Sequence, residues 1–204
     1  MRFLRGAYLL AAVLVAFVAP SPLTAGPLED AQAAYAKGDY ATALRLWRDL
    51  AEHGDASAQA SLGYMYETCR GVPKDDQEAV QWYRKSADQG NARGQVNLGY
   101  MYLHGRGGLP QDDRQAIELF RKSADQSDAL GQVGLGLMYE QGRGGVTKDD
   151  AEVARWYRKT ADQGNADAQA SLGIMYRDGR GVPHDQSEAA LWFHKAAAQG
   201  NAKA

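Results

Sequence analysis

The strongest constraint on this chain is an internal sequence repeat with a period of about 37 residues. Four consecutive copies occupy residues 56–91, 92–128, 129–165 and 166–201, and every copy contains a Leu-Gly pair at the same place. The copies differ in length at one loop, where Gly108 and Gly145 are inserted. Repeats of this period form solenoids, because no single copy can bury its apolar face alone.

Each copy predicts two helices. In the first copy, one helix covers Ala56–Thr68, where apolar residues recur at helical spacing. The second helix is predicted to begin at Asp75, which forms a capping box with Glu78; the other copies repeat this pattern. Gly63 lies inside the first helix, where a glycine costs about 1 kcal/mol relative to alanine. Its recurrence in all four copies predicts close approach of another helix at that position.

Upstream of the repeats, residues 26–55 predict one further helix pair, with helices at 28–37 and 39–53, that acts as an N-terminal cap. The fold class is therefore all-α, with ten helices and no strand. Stacked antiparallel helix pairs of this kind form a right-handed superhelical α/α solenoid. Residues 202–204 match the beginning of a copy and are interpreted as the start of a truncated further repeat.

The N-terminal residues 1–25 have the three-part pattern of a secretory signal peptide. Arg2 and Arg5 precede an apolar run over residues 6–19, and small residues follow up to Ala25. We predict cleavage after Ala25, export to the periplasm or the medium, and no stable membrane insertion once the signal is removed. An uncleaved N-terminal anchor is the alternative, although the apolar run is short for a membrane span.

The composition argues against several classes of function. Lys and Arg number 23 against 25 Asp and Glu, so no basic excess exists for nucleic acid binding. Cys69 is the one cysteine, which excludes an intrachain disulfide and a cysteine-rich zinc site. The four histidines have no metal-ligand spacing, and no motif of a nucleophilic or zinc hydrolase occurs. We therefore predict no catalytic residue, no metal and no cofactor.

The repeats resemble the Sel1-like repeat (SLR) family, which is related to the tetratricopeptide repeat. The family pattern A-x-x-L-G-x-x-Y-x-x-G-x-G-V, followed by D and by A-x-x-W-Y-x-K-A-A, is matched in the first copy by Leu62, Gly63, Tyr66, Gly71, Val72, Asp75, Ala79, Trp82, Tyr83, Lys85 and Ala87. The resemblance implies an adaptor without catalytic activity that holds a protein or peptide partner on a concave face lined by the first helix of each repeat. It also implies a secreted or periplasmic bacterial protein.

One stripe of each first helix varies between copies and is the candidate binding surface. The varying positions are Ser57, Ser61, Tyr64 and Thr68; Arg93, Asn97, Tyr100 and His104; Leu130, Gly134, Leu137 and Gln141; and Asp167, Ser171, Ile174 and Asp178. Their spacing places them on one helical face. The predicted partner-binding residues are Tyr64, Tyr100, Leu137 and Ile174 as aromatic and apolar anchors, with Arg93, Asn97 and His104 as polar contacts. The alternative is ordinary solvated surface.

Two other functions remain open. Cysteine-rich members of the same family suggest a β-lactam-binding or β-lactam-hydrolysing enzyme, although this chain lacks their cysteine pairs. A row of arginines, Arg70, Arg106, Arg143 and Arg180, could bind a cell-wall polysaccharide or could instead pair with nearby acids.

Cys69 stands where the other copies have glycine, which predicts a left-handed residue and a strained or altered loop. Either the chain is a fragment of a longer repeat array, or the last helix pair leaves Leu191, Trp192 and Phe193 partly uncovered, which would permit self-association.

Overall fold

The computed structural model describes residues 26–200, which form ten α-helices and contain no strand. The helices are α1 (Pro27–Ala36), α2 (Tyr40–Glu52), α3 (Ala56–Thr68), α4 (Asp76–Asp88), α5 (Ala92–His104), α6 (Asp113–Asp125), α7 (Ala129–Gln141), α8 (Asp150–Asp162), α9 (Ala166–Asp178) and α10 (Gln186–Ala197). Each helix packs against the helix that follows it, as in a solenoid of helix pairs. The predicted all-α solenoid is confirmed. The predicted signal peptide (1–25) and the truncated further repeat (202–204) lie outside the described residues.

The recurring glycine of each first helix faces an aromatic ring. A Cβ atom at Gly99 would lie 2.8 Å from Cε1 of Phe120 on α6, closer than two carbon atoms can approach. The equivalent contacts are Gly63 with Tyr83, Gly136 with Tyr157, and Gly173 with Phe193. The predicted close approach is therefore confirmed, and the neighbour is a ring from the second helix of the same repeat.

The N-terminus of each second helix is capped by an aspartate. Oδ1 of Asp75 accepts hydrogen bonds from the backbone N–H groups of Gln77 and Glu78, at 2.9 and 3.0 Å. The predicted return contact from Glu78 is wrong, because the Asp75 N–H instead donates to the carbonyl of Tyr66 at 3.1 Å. The same link from the N-cap aspartate to the first helix recurs in the other copies and ties the two helices of a repeat together.

Three of the four arginines in the repeated loop connect neighbouring repeats. Arg106 donates from Nε and Nη2 to the two carboxylate oxygens of Asp76, at 3.1 and 2.9 Å. Arg143 binds Asp113 in the same two-point way, and Arg180 contacts Asp150 at 3.1 Å. These contacts confirm the pairing hypothesis for these three arginines. Each one joins a loop to the second helix of the preceding repeat.

Two residues other than glycine adopt left-handed backbone within the described part of the chain. Cys69 has a φ of 58°, nearly the same as the 60° of Gly105 at the equivalent position. The predicted left-handed conformation is therefore confirmed, and of the two predicted consequences it is the strained residue that occurs, because Cys69 carries a side chain in a glycine-like conformation, and not an altered backbone shape. Ser127, with a φ of 63°, likewise keeps the geometry of the glycines that it replaces.

The last helix pair covers its tryptophan. Trp192 is 3% exposed, because it packs against Ala161, Ala168 and Leu172 of the preceding helices. The prediction that Trp192 is uncovered is wrong, and Phe193 is half-buried. Leu191 is 46% exposed, and self-association through α10 stays a prediction.

Candidate functional site

The first helices form one layer of the solenoid. Helix α5 contacts both α3 and α7, so the first helices of three repeats lie side by side. Close approach of successive helices in one layer is typical of the inner side of a curved solenoid. The variable stripe on these helices therefore extends from one repeat to the next.

A cavity of about 490 Å³ lies at the N-terminal end of this layer, and we call it the N-terminal cavity. Its lining residues come from five helices: Gln32, Tyr35, Trp47, Ser61, Tyr64, Arg93, Asn97 and Leu130. Five of them belong to the variable stripe. Cavities of this volume are within the range that accommodates small ligands or a few side chains of a peptide.

Aromatic and aliphatic side chains form the apolar part of the N-terminal cavity. The ring of Tyr35 lies 5.2 Å from that of Trp47 and 6.4 Å from that of Tyr64, measured between centroids. Tyr64 is 39% exposed and Leu130 is 44% exposed, which makes them two of the most exposed large apolar residues in the described chain. Exposed apolar side chains that line a cavity are typical of binding surfaces.

The polar groups of the N-terminal cavity are mostly free. Within residues 26–200, Arg93 and Asn97 make no hydrogen bond or ion pair through their side chains. The Trp47 indole Nε1–H is buried and has no acceptor among the described residues. A buried donor without a partner is costly, and this one lies too deep for an occupant of the cavity to reach without a shift of the ring.

Arg70 lies beside this cavity and has no carboxylate partner among residues 26–200. Its guanidinium carbon is 5.2 Å from the Tyr35 ring centre and 5.9 Å from that of Tyr64, within the range of cation–π contacts. It also donates a hydrogen bond to the Tyr35 hydroxyl, and this bond raises the pKa of Arg70. In the later repeats the equivalent arginine pairs with an aspartate at the first position of a second helix, but here that position is Tyr40.

The middle of the stripe is partly buried. Tyr100 contacts Phe120 edge to face, with ring centroids 4.9 Å apart, and stacks on His104. Burial raises the pKa of Tyr100. Leu137 packs against the same cluster around Phe120. Tyr100 and Leu137 therefore support the core as well as facing the stripe, whereas His104 is exposed.

The structure brings some of the predicted partner-binding residues together in one cavity and places the others outside it. Tyr64, Arg93 and Asn97 line one cavity, while Tyr100, Leu137 and His104 lie along the stripe outside it. Ile174 is half-buried on α9, in the last repeat, and is not among the residues that line this cavity.

The cap pair contributes Gln32, Tyr35 and Trp47 to the N-terminal cavity, and the repeat pattern did not predict this contribution. A signal was present, because residues 31–33 repeat the Ala-Gln-Ala string of residues 58–60 and so mark α1 as a first helix. The absence of the long loop in the cap obscured this relation.

Among residues 26–200, no group of His, Cys, Asp or Glu side chains is arranged to hold a metal ion. None of the described helices combines the length and the apolar character that crossing a membrane requires.

Comparison with known proteins identifies the repeats. The Sel1 repeat family model matches residues 56–91, 92–128, 129–165 and 166–201. No curated protein matches the chain.

Several solved structures are similar to this chain. A protective antigen of uropathogenic Escherichia coli with an SLR fold is 36% identical, with a TM-score of 0.71 over 84% of this chain and 38% of its own. A Sel1 repeat protein from Oxalobacter formigenes is 31% identical, with a TM-score of 0.71 over 86% of this chain and 72% of its own. A putative Sel1 repeat protein from Klebsiella pneumoniae, 22% identical with a TM-score of 0.58, shares the fold over 86% of both chains. The chain thus spans well under half the length of the Escherichia coli antigen. The four matched repeats and these likenesses show that the chain belongs to the Sel1 repeat family.

Proposed function

We propose that this chain is an exported, non-catalytic adaptor that binds a peptide or protein partner along the inner face of its first helices. Sel1 repeat proteins are typically protein-interaction scaffolds, and their fold is generally not catalytic. The observation that carries the proposal is the N-terminal cavity, which is lined mostly by positions that vary between repeats. Positions that are the same in all four repeats stabilise the packing between helices. Positions that differ between repeats and share a cavity are therefore free to specialise for a partner.

The polysaccharide alternative depends on a free row of arginines. Arg106, Arg143 and Arg180 instead use their guanidinium groups on carboxylates of neighbouring repeats. Gripping a polymer through them would require breaking these pairs. The inner face of the first helices is therefore the better-supported binding surface.

The proposal is tested with a display library of random dodecapeptides panned on the immobilised full chain. We expect recovered peptides to bind at least about tenfold more weakly when Tyr64→Ser and Leu130→Ser are combined. The matched control is Leu191→Ser, which removes a similarly exposed apolar side chain from α10 and should leave binding unchanged. Equal losses in both variants, or no recovered peptide, would contradict the proposal.

Export is the second part of the proposal and depends on residues 1–25. Mass spectrometry of the chain recovered from a periplasmic fraction or from the medium should show an N-terminus at Gly26. Recovery of the intact N-terminus from the cell interior alone would contradict it.

A further inference from the structure

The N-terminal cavity has more hydrogen-bond donors than acceptors, and this bias defines the partner that it fits. Arg93 is exposed and has five N–H donors and no acceptor, and its side chain makes no hydrogen bond or ion pair within residues 26–200. The Trp47 indole N–H also lacks a partner there, but it is buried beyond the reach of an occupant. None of the eight lining residues is acidic. An occupant must therefore supply acceptors, and a negative charge is favoured.

The positive charge of Arg70 beside the cavity also favours an anionic occupant. Arg70 contacts Tyr35 and Tyr64, two of the rings that line the cavity, and the first position of α2 offers it Tyr40 instead of an aspartate. Two guanidinium groups that lack a carboxylate partner in the described part of the chain therefore lie at one end of a protein whose formal net charge is −2. A local positive potential on an otherwise acidic protein attracts and orients an anionic group.

The apolar wall limits the class of anion. Tyr64 and Leu130 expose apolar surface, whereas Trp47 is 5% exposed and offers no open platform for a sugar ring. A side chain of a peptide can pack between Tyr35, Tyr64 and Leu130 while a neighbouring carboxylate reaches Arg93. This combination favours a peptide over an acidic polysaccharide or a simple anion.

We propose that the N-terminal cavity binds an acidic peptide segment of the partner, in which an Asp or Glu carboxylate contacts Arg93 and an adjacent bulky apolar side chain packs on Tyr35 and Tyr64. This inference rests on the proposed function and specifies the chemistry of its ligand. Asn97 supplies an amide that can bind the peptide backbone, as neutral side chains at such sites do.

The test uses the dodecapeptides recovered on the full chain. The sequences should be enriched in Asp and Glu next to Phe, Leu or other bulky apolar residues. Replacing the acids of the strongest binder by Asn and Gln should weaken binding at least about tenfold. Arg93→Gln should have a similar effect, and Arg121→Gln, which alters an exposed arginine on α6, should have none.

The outcomes separate this inference from the proposed function. If the recovered peptides are neutral or basic, or if Arg93→Gln leaves binding unchanged while Tyr64→Ser with Leu130→Ser abolishes it, the acidic-peptide inference is wrong and the peptide-binding function stands. If polygalacturonate binds through Arg93 and no peptide does, both are wrong. Circular dichroism of each variant checks that the helices are intact, and Arg93 is exposed enough for its replacement to be tolerated.

Discussion

Replacing Gly99 by alanine tests the contact that fixes the spacing between the helices of a repeat. The new Cβ would lie 2.8 Å from Cε1 and 3.1 Å from Cδ1 of Phe120. Ordinary carbon–carbon contacts begin near 3.5 Å, so the ring would have to retreat by roughly 0.7 Å. Phe120 is fully buried, and a Cβ at Gly134 of the next repeat would lie 2.7 Å from its Cγ. Two glycines therefore confine the same ring, which has little room to move.

The expected cost follows from two opposing terms. Overpacking of a core costs about 1–3 kcal/mol, whereas replacing glycine by alanine inside a helix gains about 1 kcal/mol. Because Phe120 is confined on both sides, we expect the upper part of the range, a net loss of about 2 kcal/mol in the free energy of unfolding. For a chain of this size, the melting temperature should fall by about 5 °C.

Urea and thermal unfolding followed by circular dichroism measure this effect. Asn97→Ala on the same helix is the control, since it adds no atom near Phe120 and should leave stability unchanged or raise it by about 0.5 kcal/mol. The two changes Gly99→Ala and Phe120→Leu should not be additive. The loss of stability in the double variant should be smaller than the sum of the two single losses, by more than about 0.5 kcal/mol. A rise in stability in Gly99→Ala would contradict the predicted clash with Phe120, since a gain is expected at an unobstructed helix position.

Three further predictions concern the stack. Arg143 lowers the pKa of the Asp113 carboxyl by hydrogen bonding, so its stabilising effect is present above the unfolded pKa, near 4, and is lost as the pH falls through the folded value. Asp113→Asn should therefore lower the free energy of unfolding in urea at neutral pH, by about 0.5–1 kcal/mol for this partly exposed pair, with a smaller difference near pH 3; equal differences at both pH values would contradict this. Cys69→Gly should raise stability by up to about 1 kcal/mol, because glycine adopts the left-handed conformation without strain, and a loss in thermal melting would count against it. Burial raises the pKa of Tyr157 to about 12, so subtracting the ultraviolet titration of Tyr157→Phe from that of the wild type should isolate a phenol that ionises above the ordinary value of 10.

Much of the fold was predictable because the same pattern of two helices occurs four times in the sequence. The period predicted the helix pairs, and the mid-helix glycine predicted the tight contact that Tyr83 and Phe120 make. The pairing of Arg106 with Asp76 was harder to predict from the sequence, because residues from different repeats come into contact only when the repeats stack. Only one half of the predicted capping box forms: the Asp75 side chain caps the second helix, but the Asp75 N–H donates to a carbonyl of the first helix and not to Glu78.

The candidate site was predictable only in part. Helical spacing placed Tyr64 and Arg93 on one stripe, but it gave no measure of how deeply each side chain would be buried. Tyr100 is drawn into the core by Phe120, a residue of another helix. Trp47 and Tyr35 enter the N-terminal cavity from the cap pair, and that contact depends on the packing of α1 and α2 against α3.

Backbone amide hydrogen exchange of the full chain, with and without a saturating peptide from the display library, shows which helices the peptide contacts. If the first helices form the binding face, exchange should slow in α3, α5 and α7 and at the cap helices beside the N-terminal cavity. Little change is expected in the outer helices α4, α6 and α8. Protection confined to the outer helices, with none on α3 or α5, would contradict the claim that the first helices form the binding face.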